Sequence, residues 1–425
     1  MDRFPDPFLA RDISMRACCL CLALWALVPA GVVLAGTETV RFRVSSGDLP
    51  RQESPVRVPL AQRFPSTSRV TIAGLGERPL AGQVVAPSAG EVNPPPCWLV
   101  FVLPELAAGQ SRELTAEINS EATSAEPGFH WTAIDAGQTE LRFADRPVLR
   151  YMHPKLDEST PEKRGETYKP YHHVVDPQGK ILLTKGPGGL FPHHRGLFFG
   201  FNRISYGEGK VADTWHCNKG EYQSHEGFER EESGPVLGRH VCKVAWHGQD
   251  GQVFAEELRE LTAWKTSGGT LLELATHLTS RVGRVRLDGD PQHAGFQFRA
   301  SQHVPDKTAA QTYYVRPDGR GEPGKFRNWP ENRDHVNLPW HALAFVVEDQ
   351  RFTACFLDRP QNPKEARFSE RDYGRFGSYF EFDLNDDRPL DLRYGFWLQP
   401  GEMTVADVAS RAVGFVNPVD VTVLK

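Results

Sequence analysis

The sequence predicts an all-β protein in which a small β-sandwich domain precedes a large antiparallel β-sandwich. Its 38 glycines and 33 prolines make up about 17% of 425 residues, against roughly 12% on average, which favours turns over long helices. Short segments of alternating hydrophobicity recur from residue 40 onward, as in stacked β-sheets. The second half also contains three long strand-like segments separated by glycine-rich turns.

Residues 1–35 are predicted to be a secretory signal peptide. Arg16 precedes an uncharged apolar stretch, residues 17–27, which is followed by Pro29 and small residues up to Ala35. A positive end, a short apolar core and small residues at a cleavage point are typical of exported proteins. We therefore expect a periplasmic or extracellular protein with no membrane span once processed, whether Met1 or Met15 starts the chain. The alternative is a membrane anchor, since the uncharged run approaches spanning length.

Residues 37–125 are predicted to form the small β-sandwich domain. Strand-like alternation occurs at residues 40–44, 68–72 and 111–118, and residues 98–103 form a short apolar run. A linker rich in Ser, Ala and Glu, residues 120–127, marks its end. No cluster of polar residues converges here, so we expect a scaffold or accessory role.

Residues 129–425 are predicted to form the large sandwich. Strands are expected at 238–246, 252–265 and 270–282, joined by turns at 248–251 and 267–269. The middle strand contains Glu256–Glu260, whose local propensity is helical, but the hairpin signals at both ends favour a strand. Residues 378–384 and 390–399 are expected to form a further hairpin.

Composition and motifs exclude several classes of protein. A formal net charge of −5 offers no basic surface for nucleic acid. No GxSxG elbow, HExxH pair or Walker loop is present. Four of the seven cysteines lie beyond the leader, at Cys97, Cys217, Cys242 and Cys355, without metal-binding spacing. They are expected to be either disulfides or buried thiols.

Histidines indicate where the chemistry lies, because seven of the 15 fall between Tyr151 and Arg230. Imidazole suits both proton transfer near neutral pH and metal ligation. If the chain is extended after Pro192, one face carries His194 and Asn202 with two glycines between them. We expect these glycines to leave room for a ligand beside His194.

A second predicted strand, residues 293–303, carries a polar row on one face. Its odd positions include His293, Gln297, Arg299 and His303, whereas the even positions are mainly apolar. This mixture resembles the floor of a polar cleft more than a solvated surface. Because the two end histidines are too far apart for one site, we assign His293 to the site with Gln297 and Arg299.

Aromatic and polar residues in irregular segments are candidates for sugar binding. Sugar faces stack on aromatic rings, and sugar hydroxyls need paired donors and acceptors. One such group lies within 13 residues, and it includes His216 and His225; a second mixture contains Trp329 and His335. The predicted substrate-binding residues are Gln297, Asn202, Asp213, Trp215, Glu221, Trp340 and Tyr373.

The chain resembles a large bacterial family that carries the label methane oxygenase PmoA. The likeness rests on residues 192–198 (PHHRGLF), 213–215 (DTW), His225, 358–363 (DRPQNP) and 371–374 (RDYG), and it covers roughly residues 130–425. It implies a β-supersandwich related to galactose-mutarotase-like folds, in proteins that accompany sugar-degrading genes. The sequence lacks the membrane helices of the particulate methane enzyme. It also has Phe199–Asn202 where many members carry another histidine.

Three functions follow from these observations. The leading hypothesis is an exported carbohydrate-active enzyme in which His194 and His293 exchange protons near a pKa of about 6.5. Arg195 or Arg299 would then stabilise negative charge, with hydrolysis, elimination and mutarotation all left open. The second is a metalloenzyme in which His193, His194 and His225 bind a divalent metal. The third is a non-catalytic glycan-binding protein.

Overall fold

The computed structural model describes residues 36–124 and 126–425, so the expected leader lies outside the described residues. Strands make up 53% of the structure and helices 7%, which confirms the all-β prediction. Within the described ranges, no helix is both long and apolar enough to cross a bilayer. The four cysteines in these ranges are buried free thiols.

The secondary structure comprises 28 strands and two α-helices in the described part of the chain, with one π-helical turn (Val304–Thr308) and one 3-10 turn (Ala309–Gln311). The helices are α1 (Pro161–Thr167) and α2 (Val405–Val416). The strands are β1 (Thr37–Ser45), β2 (Arg51–Leu60), β3 (Ser68–Ala73), β4 (Leu80–Val85), β5 (Cys97–Leu106), β6 (Ser111–Thr123), β7 (Phe129–Asp135), β8 (Gln138–Phe143), β9 (Arg146–Met152), β10 (Tyr171–Val174), β11 (Leu197–Phe201), β12 (Arg203–Tyr206), β13 (Lys210–Ala212), β14 (Tyr222–Glu232), β15 (Leu237–His247), β16 (Val253–Trp264), β17 (Thr270–Ser280), β18 (Val285–Asp288), β19 (Ala294–Arg299), β20 (Tyr313–Arg316), β21 (Gly319–Arg320), β22 (Trp340–Val347), β23 (Gln350–Asp358), β24 (Arg367–Arg371), β25 (Arg375–Tyr379), β26 (Phe382–Leu384), β27 (Leu390–Pro400) and β28 (Asp420–Val423).

The N-terminal strands form a seven-stranded sheet in the order β2-β5-β4-β3-β6-β1-β28. Alternate residues of these strands, such as Phe42, Val58 and Phe101, are buried in one apolar core. The last strand, β28, belongs to the large sandwich in the sequence prediction, but it pairs antiparallel with β1.

Two larger antiparallel sheets pack face to face and form the predicted large sandwich. The eight-stranded sheet has the order β24-β25-β19-β11-β10-β9-β8-β7, and the nine-stranded sheet has the order β14-β15-β16-β17-β27-β23-β22-β20-β21. Aromatic residues from both sheets, including Phe296 and Phe396 at 5.4 Å between ring centroids, fill the space between them. A four-stranded sheet, β13-β12-β18-β26, lies at one end of this arrangement.

The outer face of the nine-stranded sheet is covered by the N-terminal sheet and by α2. Thr404 and Asp407 form a capping box that starts α2. The helix then buries Val408, Ala412 and Phe415 in a core shared with Trp397. This packing leaves a pocket between the N-terminal sheet and the nine-stranded sheet.

The long predicted strands are confirmed as β15, β16 and β17, which pair antiparallel in sequence order. Glu256–Glu260 lies within β16, as the hairpin signals indicated. The predicted hairpin of residues 378–399 is wrong. β27 pairs with β17 and β23, whereas β26 pairs with β18.

Candidate metal centre

A loop between β10 and β11 carries His193 and His194. Its base is closed by a hydrogen bond from the Gly196 N–H to the Lys185 carbonyl (2.8 Å), and the Arg299 N–H donates to the Gly196 carbonyl (2.8 Å). Lys185 extends into the loop and donates through Nζ to the carbonyls of Gly186 and Gly188. Backbone hydrogen bonds therefore join the two ends of the loop to each other and to β19, and the Lys185 ammonium group fixes the backbone inside the loop.

The glycines near His194 serve the packing of the backbone and leave no room for a ligand. Gly196 has φ +33°, and a Cβ atom there would lie 2.0 Å from the carbonyl oxygen of His172. At Gly200 a Cβ atom would lie 3.1 Å from the carbonyl oxygen of Thr214. The expectation that these glycines open a ligand site is wrong, because neighbouring protein backbone occupies the space.

His216 is held in a tight turn by Asp213. One carboxylate oxygen of Asp213 accepts the backbone N–H groups of Trp215 (3.0 Å) and His216 (2.8 Å). The other oxygen lies 2.8 Å from Nδ1 of the same His216. Cys217 follows with φ +54°, an uncommon conformation for a residue with a side chain.

His293 is held by Asp290 in the same way, immediately before β19. The His293 N–H donates to the Asp290 carbonyl (3.0 Å), and the His293 Nδ1 lies 3.0 Å from the Asp290 carboxylate. Asn202 donates to the second carboxylate oxygen at 2.8 Å. Burial raises the pKa of Asp290, but the hydrogen bond and charge of His293, with the Asn202 amide, hold that pKa well below its usual range.

His193, His216 and His293 converge, with one nitrogen atom from each ring lying within 4.8 Å of the others. Nδ1 of His216 and of His293 faces a carboxylate, an arrangement that favours a proton on Nδ1 and leaves Nε2 as the nitrogen that could bind a metal. Nε2 of His193 is buried and has no hydrogen-bond partner among the described residues. Three nitrogen ligands around a tetrahedral metal are about 3.4 Å apart, so small ring rotations would complete a site.

His194 lies beside this group and is almost fully buried. Neither of its ring nitrogens has a hydrogen-bond partner in the part of the chain that the structure describes. Its ring stacks near Tyr373 and His293, at centroid distances of 6.2 and 6.1 Å. Burial, together with the guanidinium group of Arg375, holds the pKa of His194 well below its ordinary value. This differs from the expected titration near neutral pH.

The predicted residues Arg299 and Gln297 are both buried in the eight-stranded sheet behind His194. Arg299 donates to the Ala300 carbonyl (3.0 Å) and lies 4.8 Å from the centre of the Tyr373 ring. Gln297 accepts a hydrogen bond from Arg375 (3.0 Å). Arg299 and Gln297 therefore pack behind His194 as buried residues and do not form the floor of the open cleft that the sequence predicted.

Arg195 lies away from the three converging rings. It donates to the Glu166 carbonyl (3.2 Å) and to the Gly165 carbonyl, both in α1. Its guanidinium group also stacks 4.2 Å from the centre of the Tyr168 ring. These contacts hold α1 against the sandwich and differ from the expected role in stabilising negative charge.

The remaining predicted residues divide between the site and other parts of the molecule. Trp215 is buried against His194 at 5.7 Å between ring centroids. Asn202, Asp213 and Glu221 line a hollow of about 410 Å³. Trp340 lies instead in the core on the outer face of the nine-stranded sheet, so its placement at the site is wrong.

His225 does not join the other two histidines of the predicted metal set, His193 and His194. It packs against Tyr151, His153 and Phe228, with ring centroids 4.6 Å apart for His153. Of the three predicted residues, only His193 lies in the converging group, which it forms with His216 and His293. The sequence contains a signal for His216, since Asp213 precedes His216, and Asp290 precedes His293, by the same three residues.

A cleft of about 580 Å³ adjoins His293 and Asp290. Its walls include the ring of Trp329, which stacks 4.3 Å from the guanidinium carbon of Arg367. Arg203 and Glu381 add a polar rim. The volume falls within the usual range for small-molecule sites.

Comparisons with known proteins give a family and a weak structural likeness. A family model described as a family of unknown function, DUF6807, matches residues 138–413 and carries no methane-oxygenase label. No curated protein matches the chain.

Similar solved structures include an α-mannosidase from Enterococcus faecalis V583, at 10% identity and a TM-score of 0.45, covering 91% of this chain and 46% of that one. A glycosyl hydrolase family 38 protein from Enterococcus faecalis has 10% identity and a TM-score of 0.46, covering 91% and 47%. A GH36 α-galactosidase from Geobacillus stearothermophilus has 9% identity and a TM-score of 0.33, covering 65% and 41%. The chain thus spans about half the length of the structures it resembles.

Proposed function

The chain belongs to DUF6807, a family of unknown function, and we propose that it is a metal-dependent enzyme that acts on a sugar or sugar derivative. The observation that carries the proposal is the convergence of His193, His216 and His293. Export by way of residues 1–35 is part of the same proposal.

The donor set favours a transition metal such as zinc, iron or copper. Imidazole nitrogen suits these metals, and two of the three rings are oriented by carboxylates, as metal-bound histidines usually are. Three protein ligands leave at least one coordination position for water or substrate. A metal bound there would act as a Lewis acid and lower the pKa of a bound water.

The residues around the set fit substrate binding. His194 has two unpaired ring nitrogens close to the metal ligands, so in this proposal it hydrogen-bonds a group at the open position. The adjoining cleft offers the Trp329 ring for a sugar face, while Arg203, Arg367 and Glu381 supply donors and acceptors for hydroxyls. Its volume of about 580 Å³ accommodates a monosaccharide or disaccharide unit.

Metal analysis tests the first part of the proposal. Purified protein would be stripped with a chelator, incubated separately with zinc, iron(II) and copper, desalted and analysed by mass spectrometry for bound metal. We expect one equivalent of one of these metals in the wild type and loss of it in His216→Ala and His293→Ala. The matched control is His277→Ala, because His277 pairs with Asp391 at 2.8 Å but belongs to no converging group of ligands among the residues that the structure describes. Wild-type protein that retains none of the metals would refute the site.

A substrate screen tests the second part. The metal-loaded protein would be incubated with a panel of oligosaccharides and oxidised glycosides, and products would be sought by mass spectrometry. We expect a product that disappears after chelation and returns when the metal is restored. Turnover that is unaffected by chelation would contradict metal dependence, and metal binding without any product would contradict the enzymatic part.

A further inference from the structure

A second pocket, separate from the metal centre, lies between the N-terminal sheet and the nine-stranded sheet. It has a volume of about 540 Å³ and shares no lining residue with the cleft beside His293. We call it the inter-sheet pocket. Its lining includes three arginines, one carboxylate and two aromatic rings: Arg57, Arg359, Arg393, Glu273, Trp98 and Phe415.

The lining of the inter-sheet pocket contains four arginines and four carboxylates, but two of its arginines have no ion-pair partner among the described residues. Arg57 pairs with Glu273 at 3.1 Å. Neither Arg359 nor Arg393 has a side-chain hydrogen bond or ion pair within residues 36–124 and 126–425, and Nε of Arg359 is buried without a partner. The three guanidinium groups of Arg57, Arg359 and Arg393 are opposed by Glu273, and Glu260 outside the lining interacts electrostatically with Arg57 and Arg393.

The other carboxylates that line the inter-sheet pocket are engaged elsewhere. Glu53 pairs with Arg411 at 3.2 Å, and Glu91 accepts the backbone N–H of Ser88 at 2.9 Å. Asp420 interacts electrostatically with Arg51. None of these carboxylates forms an ion pair with Arg359 or Arg393 in the described part of the chain.

Hydrogen bonds of the sequence motif at residues 358–363 fix the backbone beside the two unpaired arginines, Arg359 and Arg393. Asn362 donates to the Arg393 carbonyl (2.8 Å) and accepts the Arg393 N–H (2.9 Å). The same amide donates to Asp358 at 2.6 Å, at the end of β23. Arg359 follows directly and stacks 4.7 Å from the centre of the Phe415 ring. The metal centre uses none of these residues.

Arg359 is half-buried, and the charges around it favour an anion in the inter-sheet pocket. Burial lowers the pKa of Arg359, and the nearby positive charges of Arg393 and Arg57 lower it further, whereas Glu273 alone raises it. An anion placed among the three guanidinium groups would relieve this repulsion.

We infer that the inter-sheet pocket binds a small carboxylate-bearing ligand, a sugar acid such as a uronate. The planar fork of a guanidinium group matches a carboxylate with two parallel hydrogen bonds. The ring of Trp98 supplies an apolar wall against which a sugar face packs, while Phe415 packs against Arg359. The volume holds a monosaccharide or disaccharide acid and excludes a folded partner.

Calorimetric titration of the full chain tests the inference. The protein is stripped of metal first, so that the metal centre cannot chelate the probe, and the probes are galacturonate, galactose and inorganic phosphate at equal ionic strength. We expect galacturonate to bind at least about tenfold more tightly than either galactose or phosphate. Equal binding of galactose would overturn the role of the carboxylate, and equal binding of phosphate would overturn the assignment to a sugar acid.

Variants locate the binding in the inter-sheet pocket. Arg359→Gln and Arg393→Gln are each expected to weaken galacturonate binding by at least about tenfold. Arg359→Lys keeps the charge but loses the fork, and an intermediate affinity is expected. The exposed Arg112 gives the control Arg112→Gln, which should bind as the wild type does. Circular dichroism establishes that each variant is folded, and wild-type affinity in folded Arg359→Gln and Arg393→Gln would overturn the inference.

Discussion

The carboxylates behind His216 and His293 provide the sharpest test of the metal centre. Asp213→Asn and Asp290→Asn keep the size of the side chain but replace an oxygen acceptor by an amide, which lacks the negative charge. The Nδ1–carboxylate distances of 2.8 and 3.0 Å show that each acid contacts its histidine directly. Without the carboxylate, the orientation and the basicity of the ligand are both less well fixed.

The expected loss is a ten- to hundredfold weaker metal affinity for each variant, or about 1.4–2.7 kcal/mol. Folding is also affected, because both carboxylates accept hydrogen bonds within the fold, although their side chains are 29% and 38% exposed. We expect a loss of about 1–2 kcal/mol in the free energy of unfolding, which is measured on the metal-free protein and so does not include the loss of metal binding. The two effects can therefore be separated.

Competition with a chromophoric chelator measures the metal affinity, and urea denaturation measures the stability. Asp391→Asn is the matched control, since Asp391 contacts His277 at 2.8 Å outside any candidate site. If both Asp213→Asn and Asp290→Asn bind metal as tightly as Asp391→Asn, the carboxylates do not support ligands and the proposed centre fails.

Three further predictions concern the fold. Glu370→Gln removes the charged partner of buried Arg316, whose Nε lies 2.8 Å from the Glu370 carboxylate. The free energy of unfolding, measured by urea denaturation, should fall by about 3–5 kcal/mol. A loss under about 1 kcal/mol would contradict this prediction. Burial lowers the pKa of His240 to about 3, so the unfolded chain binds more protons below pH 6.5, and stability should fall from there towards pH 3. At pH 5 the loss is about 2 kcal/mol for this residue, and His240→Gln should flatten the urea-measured pH profile. Gly196→Ala, whose Cβ atom would lie 2.0 Å from the His172 carbonyl oxygen, should cost at least about 2 kcal/mol by thermal denaturation. The control Gly207→Ala has a similar positive φ but open space, and should cost only about 1 kcal/mol.

Local signals in the sequence predicted the parts of the fold that are built from neighbouring segments. β15, β16 and β17 follow one another through glycine-rich turns, so both their bounds and their pairing could be read from the sequence. β27 is different, because it lies between β17 and β23 and is buried on both faces over most of its length. Nothing local in residues 390–399 specifies partners that lie so far away along the chain.

The same distinction explains the candidate site. Histidine density and strand pattern predict a site with His193, His194 and His293, and the structure brings these three residues together. Nearness in sequence also suggests His225, yet His225 belongs to β14, on the other sheet. The local spacing does indicate His216, since an aspartate lies three residues before both His216 and His293.

The position of β11 explains how these local units meet. Its first end is joined to the loop that carries His193, and its last residue, Phe201, exchanges hydrogen bonds with Thr214 in the turn that holds His216 (3.0 and 3.1 Å). Along its length it pairs with β19, where Phe201 lies opposite Ala294, the residue after His293. Each Asp–His unit is therefore formed by its own turn, whereas the distance between the units depends on the register of β11. A shift of one residue would turn the paired side chains to opposite faces and separate the rings, so the candidate metal centre depends on strand pairing as much as on its histidines.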